Sequence, residues 1–163
     1  MPIHGAKLKA VILYISRHPA VRDLGLTKLY KLIFFADAFH LREYGESITG
    51  SEYIKYQHGP VPSRAERCIK ALRREELLET EKIPFGGYEM TSVRPLGTPP
   101  TFDEFSSEEL ATLDAVCKQF GRLTATSLSE RSHREPAWMA TKLLEKIAPE
   151  LIMYGTAEDP DGL

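Results

Sequence analysis

Asp37 and His40 stand three positions apart inside an apolar run, Leu29-Tyr30-Lys31-Leu32-Ile33-Phe34-Phe35-Ala36-Asp37-Ala38-Phe39-His40-Leu41. At about 100° per residue an acid and an imidazole so spaced share one side of a helix and can touch one ligand. With His58 or His133 added from elsewhere in the chain, they would supply the donors of a metal site or the partners of an acid/base pair. The competing reading is that Asp37 and His40 satisfy buried backbone or side-chain groups, because buried polar groups are normally hydrogen-bonded. A bare D-x-x-H pair favours that second reading. It lacks the mutual specificity of a motif such as H-E-x-x-H.

Other chemistry is harder to place. The sequence has no G-x-S-x-G elbow, no G-x-x-x-x-G-K-[ST] phosphate loop and no G-x-G-x-x-G turn, so these nucleophile and nucleotide chemistries lack their scaffolds. Cys68 and Cys117 are the only cysteines, without CxxC or Cys/His finger spacing. Each falls on the apolar side of an expected helix and reads as a small core residue. Neither a disulfide framework nor a structural zinc is indicated, no cofactor is expected, and a reduced, cytoplasmic setting fits. The 21 Lys and Arg against 23 Asp and Glu give a formal charge of -2, which does not recruit nucleic acid globally. One local exception is a segment carrying Arg64, Arg67, Lys70, Arg73 and Arg74, followed by an expected hairpin. This is the outline of a winged-helix unit, and a DNA-binding regulator is the leading alternative function. Glu66, Glu75 and Glu76 oppose the field such a regulator needs.

These residues need elements to hold them. With 42% apolar residues in 163, the chain can bury a core, and no run reaches the roughly 20 residues of a membrane-spanning helix. Leu8, Val11, Ile12 and Ile15 mark a first helix that stops before Pro19. The run opening near Thr27, a suitable N-cap, and ending at Gly45 is apolar on most sides and should be the central buried helix. Glu52 to Gln57 reads as a strand ending in a rigid Gly59-Pro60-Val61-Pro62 turn. Ser63 to Glu76 reads as a helix, and Leu78 to Lys82 with Tyr88 to Val93 as a hairpin around Pro84-Phe85-Gly86-Gly87. The proline-rich stretch near 94–104 is a linker. Ser106-x-x-Glu109 is a capping box opening a helix that stops at Gly121. A short helix is expected over 124–132. Another starts at Pro136 and carries Trp138, Leu143, Leu144 and Ile147 inward before Pro149. The architecture is therefore α+β and predominantly helical, with several helices around a central one and a small antiparallel sheet or wing-like hairpin.

Thr27-Lys28-Leu29-Tyr30-Lys31-Leu32-Ile33-Phe34-Phe35-Ala36-Asp37, then Tyr44-Gly45, Ile48-Thr49-Gly50, Tyr53 and Tyr56-Gln57-His58-Gly59-Pro60-Val61, form an ordered set. Leu128-Ser129 through His133-Arg134-Glu135-Pro136-Ala137-Trp138 completes it. The set resembles the signature of the Panacea domain, the SocA-like antitoxin family, which includes phage-associated GepA-like proteins. The resemblance implies one domain over 1–155, and 156–163 is expected to be a frayed tail. It also implies no enzymatic activity, a cognate toxin neutralised by direct binding, and in some members delivery of that toxin to a AAA+ protease. The family-motif positions are Lys31, Phe35, Asp37, His40, Gly50, Gly59, Pro60, Val61, His133, Glu135 and Trp138, each either structural or partner-binding. On physical grounds Gly59 and Pro60 are expected to set a turn, Trp138 to be a major core residue, and His133 to hydrogen-bond to Asp37.

Overall fold

The computed structural model describes residues 2–155, and the expected tail at 156–163 lies outside the described residues. Helix α1 (Pro2–Arg17) packs Leu8, Val11, Ile12 and Ile15 inward at their one-face spacing. It leads to α2 (Leu26–Tyr44), whose Leu29, Leu32, Ile33, Phe34, Phe35, Ala36 and Ala38 are all but fully buried. Around α2 lie α1, the strand β2 (Gly59–Pro62), the final residues of a second hairpin, and the helices α4 (Ser107–Phe120), α5 (Ala125–Ser132) and α7 (Pro149–Met153). A helix apolar on nearly every side can be stable in water only when so enclosed. The remaining elements are β1 (Tyr53–Tyr56), α3 (Ala65–Arg74), β3 (Leu78–Phe85), β4 (Tyr88–Pro95) and the single turn α6 (Pro136–Met139). The fold is α+β and mostly helical, with two antiparallel two-stranded sheets among the described residues. One hydrophobic cluster draws on both sides of the 94–104 stretch, from Leu8 and Phe34 to Phe120 and Leu128. Phe35 joins the two sides by stacking on Phe120, with ring centroids 5.1 Å apart.

Several helix ends follow local chemistry. Gly45 adopts φ 85° and its N–H closes on Leu41 O, the left-handed stop that glycine tolerates best. Ser106 and Glu109 exchange both hydrogen bonds of the capping box at the start of α4, and Thr124 accepts from Ser127 N to cap α5. Cys68 and Cys117 are buried, and burial pushes the Cys117 thiol up to about 12.

Four local expectations are corrected. Thr27 is not the N-cap of α2; Gly25 is, without a side-chain cap bond. A Cβ at Gly25 would strike the Met90 side chain, so the hairpin β3–β4 presses on the helix start there, and Val93 N bonds Leu24 O at 2.9 Å. Gly59-Pro60-Val61-Pro62 is not a turn but strand β2, with Tyr53 opposite Pro62 and Tyr56 opposite Gly59; the reversal is Gln57-His58. Ser63 N bonds Glu52 O at 2.8 Å, and this alternation turns the nitrogens of Pro60 and Pro62 away from β1, where their missing N–H groups cost no ladder bond.

The helix expected from Pro136 to Ile147 lasts one turn. From Thr141 the chain instead lies along the free edge of β1, where Leu144 N bonds Lys55 O, Lys55 N bonds Glu145 O, and Ile147 N bonds Tyr53 O. An open strand edge offers unpaired donors and acceptors that an amphipathic helix would leave unmet. Ile147 is buried, but Leu143 and Leu144 are 56% and 64% exposed. Finally, Trp138 is not a core residue: it is half-buried, while its neighbour Ala137 is fully buried.

Candidate functional site

The polar residues of α2 fall into separate environments. Asp37 is 1% exposed and its carboxylate accepts four hydrogen bonds: from Ile48 N, Thr49 N, Thr49 Oγ1 and Tyr53 OH. Burial pushes its carboxyl above the ordinary range, and the bonds from Thr49, Tyr53 and Ile48 offset part of that rise. The Ile48-Thr49-Gly50 turn is thereby clipped to the central helix, with Gly50 at φ 68° donating to Ser47 Oγ. Tyr53 carries the same tie into β1. His40 points elsewhere: its Nδ1 lies 2.8 Å from Thr112 Oγ1 on α4, and burial lowers its pKa. At the end of α2, Arg42 pairs with the buried Glu135 and donates to Ile152 O, so the segment before α6 and the last helix are fastened to one guanidinium.

His133 does not reach Asp37, whose four partners all come from residues 48–53. Instead the His133 ring stacks on Trp138, centroids 3.9 Å apart and planes within 22°. Lys55 Nζ sits 3.7 Å above the Trp138 ring and donates to Thr141 O, and Trp138 Nε1 donates to Tyr56 O at 3.2 Å. Burial holds the His133 imidazole below its usual range, with Lys31, His58 and Lys55 adding to that effect, while a hydrogen bond with the Gln57 backbone opposes it. Its Nε2 is buried with no hydrogen-bond partner among the described residues. The proposed metal or acid/base set of Asp37, His40, His58 and His133 is thus taken apart by the fold. His58 is exposed at the hairpin reversal, and no three metal-ligating side chains gather among the described residues.

What the fold does bring together is Lys31, Gly59 and Val61, with His133 and Trp138 stacked on each other beside the β1–β2 hairpin. A groove of about 610 Å³ opens between α2 and the β1–β2 hairpin, lined by Tyr30, Lys31, Tyr56, His58, Gly59, Val61 and Glu66, among others. Lys31 is 1% exposed, and burial alone lowers its ammonium pKa to about 8. Its stem lies against Gly59: a Cβ there would collide with Lys31 Cε and approach Ser132 Oγ to 2.7 Å. Gly59 also holds φ 134°, a conformation L side chains rarely adopt. Pro60 is buried beside it, opposite Lys55. Lys28, the other buried lysine of α2, is satisfied by two carbonyls, Arg22 O and Gly121 O.

Sequence reading missed Lys55, Arg42 and Ser132. Lys55 had one available signal, a cation in a strand whose neighbours are aromatic. Arg42 and Ser132 had none, because their partners lie far along the chain.

The basic residues of α3 are exposed; Lys70 faces Glu66, while the nearby acids Glu75 and Glu79 pair with Lys9 and Arg94 from other elements. Among the described residues no helix is long and apolar enough to cross a membrane.

Fold and site together define a mostly helical α+β domain whose signature residues divide between buried ties and one open groove. The family model for the antitoxin SocA-like Panacea domain matches residues 29–139, from the central helix to the turn of Trp138, and the chain belongs to that family. Neither a curated protein nor a solved structure matches the chain.

Proposed function

We propose that this protein is an antitoxin that neutralises a partner toxin by stoichiometric binding, without catalysis of its own. Family membership supports the antitoxin-like role. The observation that carries the binding reading is where the signature residues sit. Lys31, Gly59 and Val61 line the groove, and the stacked His133 and Trp138 join it through Tyr56, whose carbonyl accepts from Trp138 Nε1. Tyr56, Met139, Leu143 and Leu144 extend apolar surface outward from Trp138 and the hairpin, each 45% exposed or more. Exposed aromatic and methionine side chains are the types enriched at protein-binding surfaces. Held this way, a toxin could also be handed to a AAA+ protease, which would require a second surface that leaves the groove occupied.

The test is co-expression with the product of the adjacent open reading frame. Restored growth together with co-purification of the two chains is the expected result. Restored growth without a complex, or no toxicity from that product, would overturn the reading.

A further inference from the structure

Lys31 presents an electrostatic imbalance. Taking an ammonium out of water costs several kcal/mol unless an anion or carbonyl oxygens replace the lost hydration. Lys28, one turn earlier on α2, has two carbonyls. Lys31 has no hydrogen-bond or ion-pair partner among the described residues, although its stem is fixed by Gly59 and it lines the groove. His58 lines the same groove, and the neighbouring His133 has its Nε2 buried without a hydrogen-bond partner among the described residues. The one acid lining the groove, Glu66, stands on α3, is exposed, and faces Lys70 at 3.6 Å. Tyr30 and Tyr56 contribute aromatic faces to walls that also carry Leu26, Ile54, Val61 and Pro62.

We propose that this groove is a carboxylate receptor, and that it takes an acidic side chain of the protein partner onto Lys31, with the Tyr30 and Tyr56 rings flanking the inserted chain. The inference rests on the antitoxin reading and names the chemistry the partner must bring. An aspartate or glutamate entering the groove gives Lys31 the counter-charge the fold withholds. The groove's low polarity strengthens that ion pair relative to one on the open surface. A neutral side chain of the same shape would leave the ammonium buried and uncompensated, so the site discriminates by charge.

The test uses the full chain with lysine Cε carbons isotopically labelled, titrated with a blocked Ala-Glu-Ala peptide, its Ala-Gln-Ala counterpart and inorganic phosphate. The Glu peptide should shift the Lys31 resonance saturably, with an affinity in the roughly millimolar range and at least about tenfold tighter than the Gln peptide. Lys31→Met should abolish the response. Should that variant fail to fold, the Glu and Gln arms on the wild-type chain still decide. Equal responses to the two peptides, no movement of Lys31, or a response to phosphate alone would overturn the proposal. Because no toxin is used, failure of the antitoxin reading would leave this peptide response in place.

Discussion

Two charged residues of the same helix, Lys31 and Asp37, are each 1% exposed, yet their surroundings are opposite. Asp37 collects four donors from one short turn and the first strand, enough to satisfy both carboxylate oxygens. Lys31 collects none among the described residues, and its amine ends at a groove. Equal burial therefore marks two kinds of signature residue. The acid is a structural tie, consumed by the fold that surrounds it. The lysine is buried at a cost, and that cost is recovered only if something enters from outside.

Breaking the tie should have the largest effect. Asp37→Ala leaves Ile48 N and Thr49 N buried without an acceptor and the Tyr53 hydroxyl with only Ile33 O at 3.4 Å, so destabilisation of about 3–5 kcal/mol is expected in chemical denaturation. A change below about 1 kcal/mol would mean the turn finds water instead. Next comes a gain. Lys31→Met removes an unpaired buried charge and should raise stability near pH 7 by about 3 kcal/mol, the scale of a lysine lowered from 10.5 to about 8. The sign follows from proton binding: between about 8 and 10.5 the unfolded chain holds the proton that the folded chain has released. Wild-type stability from this group therefore rises with pH across that window, while below it the full penalty applies. The Met variant's advantage should shrink as pH climbs past 8, and an advantage that is flat with pH would show that packing, not charge, is responsible.

Gly59→Ala joins the two regions through backbone geometry. Strain at φ 134° and the collision with the lysine stem should cost about 2 kcal/mol. In the Lys31→Ala background part of that cost should vanish, and strict additivity of the two changes would break the link between them. The smallest effect belongs to Trp138→Ala. A half-buried indole held by Lys55, His133 and one carbonyl should cost about 1 kcal/mol, while toxin capture should suffer far more. A loss of several kcal/mol would return Trp138 to the core.

The same contrast explains what the sequence could show. The central helix, the capping box, the β3–β4 hairpin and the burial of both cysteines are local or periodic features, legible from spacing alone. Asp37 was legible as a satisfied buried acid, though not its partners, because the I-T-G turn reaches it only after the chain reverses at Gly45. Two segments misled for physical reasons. Pro60 and Pro62 read as turn formers, but alternation hides both nitrogens on the strand's outer edge. Leu143, Leu144 and Ile147 read as a helix face, but the open edge of β1 claimed their backbone. Trp138 read as core by size, whereas its ring is held half-buried by a cation above it and an imidazole beside it. That Lys31 lacks a partner could not be seen in sequence, since it depends on what Gly59 and Ser132 place around it.

The central claim is that the fold leaves Lys31 for a partner's carboxylate. The most direct measurement is the dissociation constant of the co-encoded toxin from the wild-type chain and from Lys31→Met, with the unfolding midpoint of each recorded alongside. The account predicts binding at least about tenfold weaker for the variant, with a midpoint equal to or above wild type. Unchanged toxin binding by a folded Lys31→Met chain would contradict it.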